Sequence, residues 1–540
     1  MLTIRDHQTG DLFDPWEHLG EQRRRLLDRS WAAVFREHLL EHLPVGELAA
    51  GFSRELGRPT KDLHAVVGAL ILQQLHDTTD AATVEAVALN LAWQYALDIR
   101  AESDAYLCER TLRNYRQILI ERGLDQVLFR KLTDRLIKAI GVDTSKQRLD
   151  STAIRSAMRG LTRLGIIVET ISKFLRELRR LHPALHDRVA PEAIRKYVER
   201  EGTGCFASTK PSESRRRLPE AAADLLVLVT QFRGSAASGL ESYRILARVL
   251  AEQCEVIADP ESGAKVRVKE PDEITCDVVL NPAEPDATYN KHRGVGYLVQ
   301  VMETYSPDAA PEPGDQAGTE GPPPAKPDLI THVAVGPMNA HDGSALDPAL
   351  ADAEARGIKP ETLLGDSHYG SEENLKEAAV RGVEVVAPAM PAKGSKQGKV
   401  TLEDFDLDDR GHVTRCPGGQ APLSTSEGEE RIQAVFDEAA CAACPLRAAC
   451  PASAVGRKER RFQYTRDRVR HRERRLGDRT KGFRDRYRWR SGIEGTMSRL
   501  KYRMRLAALR VRGRAAVAYR TFLRALGLNI HRVAAYRAAH

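Results

Sequence analysis

Four polar side chains near the C-terminal end of the chain have a spacing that suits one face of a helix. They are Tyr487, Arg490, Glu494 and Lys501, in the segment YRWRSGIEGTMSRLK, with separations of 3, 4 and 7 residues. In a continuous α-helix all four would share a stripe about 60° wide. One carboxylate beside two cations and a phenol suits a site for a metal ion and phosphate groups. A surface ladder of ion pairs would have the same spacing, so both interpretations stay open.

Two glycines, Gly492 and Gly495, flank the carboxylate of this stripe. Each would cost roughly 1 kcal/mol in a helix interior relative to alanine. Their small size would let another backbone or a ligand approach Glu494.

A second group of reactive side chains consists of four cysteines within 35 residues: Cys416, Cys441, Cys444 and Cys450. In a reducing compartment this clustering favours a structural Cys₄ zinc site, because four protein ligands leave no open coordination position. The alternative is a set of free thiols. We interpret the scattered Cys108, Cys205, Cys254 and Cys276 as ordinary core or surface residues.

Positive charge is concentrated in one part of the chain. Residues 457–514 hold 23 Lys and Arg against 6 Asp and Glu, so the remainder of the chain is net negative although the total is +7. This asymmetry favours a polyanionic partner, most simply nucleic acid. The alternative is an arginine-rich helical surface that pairs with acidic groups elsewhere. Arg110, Arg113 and Arg116 give a weaker basic pattern on an amphipathic helix near the N-terminus.

Composition and missing motifs exclude several classes of protein. No apolar stretch approaches the ~18 residues of a membrane span, and the first residues lack the apolar core of a secretory signal. Eight cysteines in 540 residues exclude a disulfide scaffold. We therefore expect a cytoplasmic protein, associated with the nucleoid if it binds DNA. The segment GSKQGKV at 394–400 is one residue short of a phosphate-binding loop, so we expect no nucleotide cofactor.

Hydrophobic periodicity divides the chain into a helical N-terminal part and a later α/β part. We predict helices over 1–140, a strand at Lys146–Ile154, a helical insertion over 155–270, and a β-β-β-α-β-α-β order over 271–392. The first strand of that order is EITCDVVL, and residues 306–327 read as a flexible Pro/Gly-rich loop. Residues 393–455 look loop-like and hold the cysteines, and residues 456–540 look helical and basic throughout.

The pattern Y-x2-R-x3-E-x6-K resembles the C-terminal signature of DDE-type bacterial insertion-sequence transposases. Asp150 in QRLDSTAI and Asp366 in LLGDSHYGSEEN resemble that family's two other acidic residues. VAVGPMNAHDGSAL, with Asn339, His341 and Asp342, resembles the end of its third core strand. The resemblance implies an α/β RNase H-like mixed-sheet core over 141–154 and 271–392, completed by 456–540. It also implies an all-helical N-terminal domain for DNA binding or dimerisation, a helical insertion and a Cys-rich insertion over 393–455.

The same resemblance implies a DNA transposase with Asp150, Asp366 and Glu494 as catalytic residues. These would hold two Mg²⁺ or Mn²⁺ ions, the arrangement that stabilises both oxygens of a phosphodiester exchange. Water would attack at the transposon ends and the freed 3′-hydroxyl would join target DNA. Tyr487, Arg490 and Lys501 would contact double-stranded DNA, with Arg110, Arg113 and Arg116 as candidates for reading the ends, in a homodimer. A degenerate DNA-binding protein and a host structure-specific nuclease remain alternatives. His341 and His368 are either hydrogen-bonding loop residues or supporting residues of the site.

Overall fold

The computed structural model describes residues 4–7, 14–53, 60–199, 211–259, 263–307, 326–429 and 431–539. Most of the loop predicted over 306–327 lies outside these ranges, as does Cys205. The strands are β1 (Lys146–Arg155), β2 (Cys254–Asp259), β3 (Gly263–Val268), β4 (Thr288–Asn290), β5 (Gly294–Thr304), β6 (Ile330–Pro337), β7 (Thr362–Leu364), β8 (Glu384–Val386), β9 (Asp406–Leu407), β10 (Val413–Arg415), β11 (Ser424–Glu427), β12 (Ile432–Asp437), β13 (Ser453–Val455) and β14 (Glu459–Tyr464).

The helices fall into an N-terminal group, an insertion group and a C-terminal group. They are α1 (Glu21–Asp28), α2 (Trp31–His38), α3 (Val45–Ala49), α4 (Leu63–His76), α5 (Asp80–Leu89), α6 (Leu91–Ala96), α7 (Glu109–Glu121), α8 (Leu124–Ile140), α9 (Arg163–Leu181), α10 (Pro183–His186), α11 (Pro191–Ile194), α12 (Pro211–Phe232), α13 (Glu241–Gln253), α14 (Leu346–Ala355), α15 (Glu372–Val380), α16 (Glu438–Ala442), α17 (Arg466–Gly477), α18 (Lys481–Tyr487), α19 (Gly492–Ser498) and α20 (Arg514–Ala539). Among the described residues, every helix is too short or too polar to cross a lipid bilayer.

A mixed sheet forms the centre of the molecule, as predicted. Its strand order is β6–β5–β1–β7–β8, and the short β4 extends the edge next to β6 by pairing with the start of β5. β1 runs antiparallel to β5 and parallel to β7, and β7 runs parallel to β8. The helices α14 and α15 connect β6 to β7 and β7 to β8. The predicted order of elements in this region is therefore correct, apart from its first strand.

That first predicted strand, EITCDVVL at 273–280, is absent. The segment begins at a 3₁₀ turn, Pro271–Glu273, and continues as turns. Its backbone is satisfied by side chains instead of a strand partner, since the Val279 amide donates to the Glu252 carboxylate over 2.7 Å. Val279 is buried in the core of the helical insertion, which explains the apolar pattern that suggested a strand.

One hydrophobic core joins the N-terminal helices, the central sheet and α20. The apolar run Leu63–Leu75 is buried along its whole length, because α4 lies between its helical neighbours and α20. Asp62 caps this helix by accepting a hydrogen bond from the Ala65 amide over 3.1 Å. The helical segment predicted for 1–140 therefore packs directly against the elements that carry the candidate site.

The insertion after β1 has its own core, built around Phe174, Phe232 and Tyr243. Helices α9 to α13 confirm its helical character, but its last part is a hairpin of β2 and β3. The prediction of a helical insertion over 155–270 is wrong for these two strands. The two strands are six residues each and meet near Gly263, which has a positive φ of 78°, and such a short hairpin leaves little periodicity to detect.

The Cys-rich segment is also more regular than predicted. It contains an antiparallel sheet of order β11–β12–β14–β13 and a two-stranded ribbon of β9 and β10, with Phe405, Phe436 and Phe462 in its core. The loop-like interpretation of 393–455 is therefore wrong, because the strands are short and mostly polar on their solvent face. β14 belongs to this sheet, so the helical segment predicted over 456–540 begins instead at Arg466.

The helix that was to carry the four-residue stripe is interrupted. α18 ends at Tyr487, a 3₁₀ turn spans Arg488–Ser491, α19 spans Gly492–Ser498 and a π-turn spans Arg499–Arg503. The prediction of one straight α-helical stripe is wrong, because each change of helix type changes the rotation per residue. The side chains of the stripe must therefore be placed one by one.

Candidate active site

Asp150 lies in the middle of β1 and its side chain is 13% exposed. One carboxylate oxygen accepts a hydrogen bond from the Ser151 amide over 2.8 Å. The other accepts a hydrogen bond from Nη2 of Arg490 over 2.6 Å. Burial raises the pKa of Asp150, Arg490 opposes that rise, and the nearby carboxylates of Asp366 and Asp342 add to it. Three acidic groups are thus close enough to repel one another, which favours a cation among them.

Asp366 follows β7, the parallel neighbour of β1. Its Oδ1 accepts the His368 amide over 2.8 Å, which closes a tight turn. Tyr369 is fully buried and donates its hydroxyl to Oε1 of Gln300 on β5 over 2.8 Å. The loop that carries Asp366 is therefore fixed to the far side of β1.

A third acidic residue, Asp342, follows β6 and is held more tightly than the sequence suggested. Its carboxylate accepts two hydrogen bonds from Arg293, over 3.0 and 2.5 Å, and one from Oγ of Ser151 over 2.8 Å. Burial alone would raise the pKa of Asp342, but these bonds keep it below its ordinary value. Sequence analysis did not identify Arg293, because nothing in its spacing connects it with Asp342.

Close contact between two loops brings Asp342 to Asp366. A Cβ added to Gly343 would lie 2.6 Å from the carbonyl oxygen of His368, so only glycine permits this approach. Asp342, Asp366 and His368 each offer one ligand atom, and these three atoms lie within 4.8 Å of one another. Nδ1 of His368 is buried without a hydrogen-bond partner. Two carboxylates and an unsatisfied imidazole nitrogen are a donor set that suits a divalent cation.

Glu494 lies on α19 and is 64% exposed. Its carboxylate accepts a hydrogen bond from Nη1 of Arg490 over 2.7 Å, and the same guanidinium donates to Asp150. Arg490 thus connects two of the three predicted catalytic acids, while Glu494 stands outside the group formed by Asp342, Asp366 and His368. Convergence of Asp150, Asp366 and Glu494 on shared metal ions stays a prediction.

The other two residues of the signature lie at different places. Tyr487 is half-buried and stacks on Phe483 with ring centroids 5.3 Å apart. Burial raises the pKa of Tyr487, Arg490 opposes the rise, and Asp366 and Asp150 add to it, so its ring is near the acids. Lys501 lies in the π-turn, where burial and the charge of Arg155, at the end of β1, lower its pKa.

The three N-terminal arginines on α7 differ in exposure. Arg110 and Arg113 are exposed. Arg116 is mostly buried, where it pairs with Asp80 and donates to Oε1 of Gln73 over 3.0 Å. Arg116 therefore links α7 to its neighbours, and a role in reading DNA stays a prediction for all three arginines.

The four clustered cysteines line one cavity of about 30 Å³. A Cβ on Gly418 would lie 2.9 Å from Sγ of Cys444, so the backbone approaches the thiols closely. Burial raises the pKa of Cys441, and Cys450 adds to the rise. Two groups of three donors within 4.8 Å occur among the described residues, and neither contains a cysteine. Zinc binding by Cys416, Cys441, Cys444 and Cys450 thus stays a prediction. Of the scattered cysteines, Cys108 and Cys276 are exposed and Cys254 is buried.

Part of the basic segment 457–514 pairs with acidic residues from elsewhere. Such pairs join Arg466 to Glu427, Arg470 to Glu372, Arg479 to Glu403, Arg486 to Glu384 and Arg505 to Asp77. The alternative interpretation of an ion-paired surface is correct for these arginines.

A different set of basic residues lines an open cavity of about 780 Å³ that is bordered by α19. Its lining includes Lys326, Arg488, Arg499 and Arg532, together with the indole of Trp489. Of these four cations, Arg488 and Arg499 belong to the basic segment 457–514, so a small part of that segment faces the cavity.

Two family models match the chain, one at each end. A model described as "Transposase DDE domain" matches residues 415–534, and a model described as "Transposase domain (DUF772)" matches residues 20–117. The first range contains the four-residue signature and the clustered cysteines, whereas Asp150 and Asp366 lie outside both. No curated protein and no solved structure matches the chain. Both models describe transposase domains, so the two matches support the resemblance to DDE-type insertion-sequence transposases.

Proposed function

We propose that this transposase hydrolyses phosphodiester bonds at transposon ends and joins the ends to target DNA in a metal-dependent reaction. The observation that carries the proposal is the group of acidic side chains that separate strands bring together: Asp150 on β1, Asp342 after β6 and Asp366 after β7. The strand order β6–β5–β1–β7–β8, with β5 antiparallel and β7 parallel to β1, supports the RNase H-like core that the family resemblance implies.

Divalent ions, Mg²⁺ or Mn²⁺, would be held by Asp150, Asp366 and Glu494, with His368 as an additional donor. When bound, such ions stabilise the attacking and leaving oxygens of an in-line displacement. The carboxylates of Asp150 and Asp366 fit this role because they are partly buried and repel each other. Asp342 is already neutralised by Arg293, so we assign it mainly to positioning Ser151 and the loop of Asp366.

The positive charge of Arg490 lies between Asp150 and Glu494, where a metal ion would be expected. Its guanidinium neutralises Asp150 and Glu494 together, and Glu494 is exposed enough to turn about its own side-chain torsions. When Glu494 turns towards Asp150, Arg490 is released to bind a phosphate through its planar donors. Tyr487 and Lys501 would contact the DNA on either side of that phosphate.

The exposed basic surface would hold double-stranded DNA. Arg488 and Arg499 beside Trp489 supply two guanidinium groups and an aromatic face at one cavity, and Arg110 and Arg113 supply cations on the N-terminal helices. The family resemblance adds that two ends are handled together, by a homodimer. Affinity for DNA should fall steeply with salt concentration, because bound phosphates release counterions. A salt-independent affinity would contradict this surface.

The test uses purified full-length protein, Mg²⁺ and DNA that carries the flanks of the gene. Wild-type protein should cut at the flanks, whereas Glu494→Gln and Asp150→Asn should not. Glu473→Gln on α17 is the matched control. Glu473 is also an exposed glutamate, and we propose no catalytic role for it. Binding without cleavage in every variant would favour a degenerate DNA-binding protein. Cleavage that survives Glu494→Gln would place the third acid elsewhere.

A further inference from the structure

A second group of side chains of the types that bind metal ions lies where the N-terminal segment crosses the start of α4. The backbone amide of Arg5 donates to Oδ1 of Asp62 over 2.9 Å, and its guanidinium donates to the Asp98 carbonyl over 3.0 Å. These bonds bring His7 against His64, and their rings meet edge to face with centroids 4.8 Å apart. The side chains of His7 and His64 are only 4% and 8% exposed.

The distances in this group are too long for hydrogen bonds. Nε2 of His7 lies 3.6 Å from Oδ2 of Asp62, and Nδ1 of His64 lies 3.7 Å from Oδ1 of Asp62. Both nitrogens are buried and have no hydrogen-bond partner. An unsatisfied buried nitrogen is costly, and here two of them face the same carboxylate.

The same distances suit a metal ion placed between the three groups. Zinc binds imidazole nitrogen and carboxylate oxygen at about 2.0–2.2 Å, so neighbouring ligands of a tetrahedral ion are roughly 3.3–3.5 Å apart. One ligand atom from each of His7, Asp62 and His64 lies within 4.8 Å of the others. A small inward movement of each side chain would complete the coordination.

The surroundings of the three side chains resemble the outer shell of a metal site. The other ring nitrogen of His7, Nδ1, lies 3.5 Å from Oδ2 of Asp98, and a carboxylate behind a histidine is a common way to orient a metal ligand. Asp98 is itself fixed by Arg36 over 2.6 Å and by Arg100 over 2.7 Å. The ligand carboxylate is fixed too, since the amides of Arg5 and Ala65 bind it.

We propose that His7, Asp62 and His64 form a binding site for one zinc ion, which fastens the N-terminal segment to α4. Imidazole and carboxylate ligands suit zinc better than they suit Mg²⁺, so this site is distinct in chemistry from the catalytic acids. It is also distinct from the cysteine cluster, which would supply sulfur. Three protein ligands leave one position, which a water molecule can fill. The competing state is a protonated His7 that pairs with Asp62 and Asp98 and needs no metal.

The experiment measures bound metal in the full-length protein, purified without a polyhistidine tag. The background is a Cys441→Ser/Cys444→Ser variant, which removes any zinc held by the cysteines. In this background, elemental analysis after dialysis against trace zinc should find about one zinc per chain. His7→Gln and His64→Gln should each lose it. His18→Gln, which replaces an exposed histidine of the same region, should retain it.

Substitution by cobalt provides a second measurement that does not depend on the folding of the two histidine variants. In the cysteine-variant background, bound Co²⁺ should give the visible bands of a tetrahedral nitrogen and oxygen site without a thiolate charge-transfer band. No bound zinc or cobalt in this background would overturn the proposal in favour of the protonated state. Metal that persists in both His7→Gln and His64→Gln would also overturn it, because the ion would then lie elsewhere.

Discussion

The two glycines beside Glu494 should respond in opposite ways to the same substitution. A Cβ on Gly492 would lie 2.1 Å from Nη1 of Arg148, whereas a Cβ on Gly495 meets nothing within 4 Å. Both residues are in α19. Helix propensity alone predicts that Gly→Ala stabilises the protein by up to about 1 kcal/mol at either position. The structure predicts that this holds for Gly495→Ala only.

The loss of stability expected for Gly492→Ala depends on how strongly the side chain of Arg148 is held in place. Its side chain is 6% exposed, and its three nitrogens donate to Glu303 over 2.8 Å, to the Trp489 carbonyl over 2.7 Å and to Asp328 over 2.8 Å. An added methyl group must displace this guanidinium, which loses at least one bond to a charged group, about 1.5–3 kcal/mol, or breaks the buried pair, about 3–5 kcal/mol. After subtracting the gain in propensity of up to about 1 kcal/mol, we expect Gly492→Ala to destabilise the protein by roughly 0.5–4 kcal/mol.

The assay compares urea unfolding of the two variants and wild type, followed by the fluorescence of the tryptophans. A chain of this length need not unfold in two states, so the comparison uses the order of the midpoints. Gly495→Ala should unfold at the same or higher urea concentration than wild type, and Gly492→Ala at a lower one. Equal midpoints for the two variants would refute the reasoning, because the contact between Arg148 and α19 would then carry no energy.

Catalysis offers a second measurement of the same contact. Arg148 lies two residues before Asp150 on β1, and its bond to the Trp489 carbonyl fixes the turn that carries Arg490. A shift of α19 would move Glu494 relative to Asp150. Gly492→Ala should therefore lose more cleavage activity than Gly495→Ala when both are assayed well below their unfolding midpoints.

Three further predictions concern separate parts of the molecule. Burial raises the pKa of Asp125 from its ordinary value of 3.8 to about 6. The folded protein therefore loses stability as the pH rises from about 4 to above 6, by about 3 kcal/mol at most. Asp125→Asn should abolish this difference between unfolding curves at pH 4 and pH 8. Arg116→Ala should lower stability because it breaks the pair with Asp80, whereas Arg113→Ala should weaken DNA binding in a filter-binding assay and leave stability unchanged. Cys441→Ser should remove one zinc per chain by elemental analysis, and an unchanged zinc content would mean that the cysteines are free thiols.

The amino-acid sequence determined the parts of this protein that depend on local pattern. The β-branched and aromatic runs at 296–305 and 328–336, together with the short polar candidate at Lys146–Ile154, predicted three of the central strands. The signature around Glu494 and the clustering of the cysteines were visible from spacing alone. The family resemblance was inferred from the types and spacing of the signature residues. Matches to transposase models at 20–117 and 415–534 confirm it.

Local pattern failed where short elements depend on their neighbours. The strands of the Cys-rich segment are two to six residues long, too short to show a period, and they form because Phe405, Phe436 and Phe462 share a core. The helix around Glu494 is broken although its sequence reads as continuous. A factor in that break is Arg148, which takes the Trp489 carbonyl at the 3₁₀ turn.

Only the tertiary structure decided which charged groups meet in the site. Arg490 binds Asp150 across 340 residues of sequence, and Arg293 binds Asp342 across 49. His7 meets His64 only because the N-terminal segment folds back over α4. The reason is physical: electrostatic and coordination geometry depends on distances of a few ångströms, and those distances are set by how β1, β6, β7 and α19 pack, which no spacing along the chain encodes.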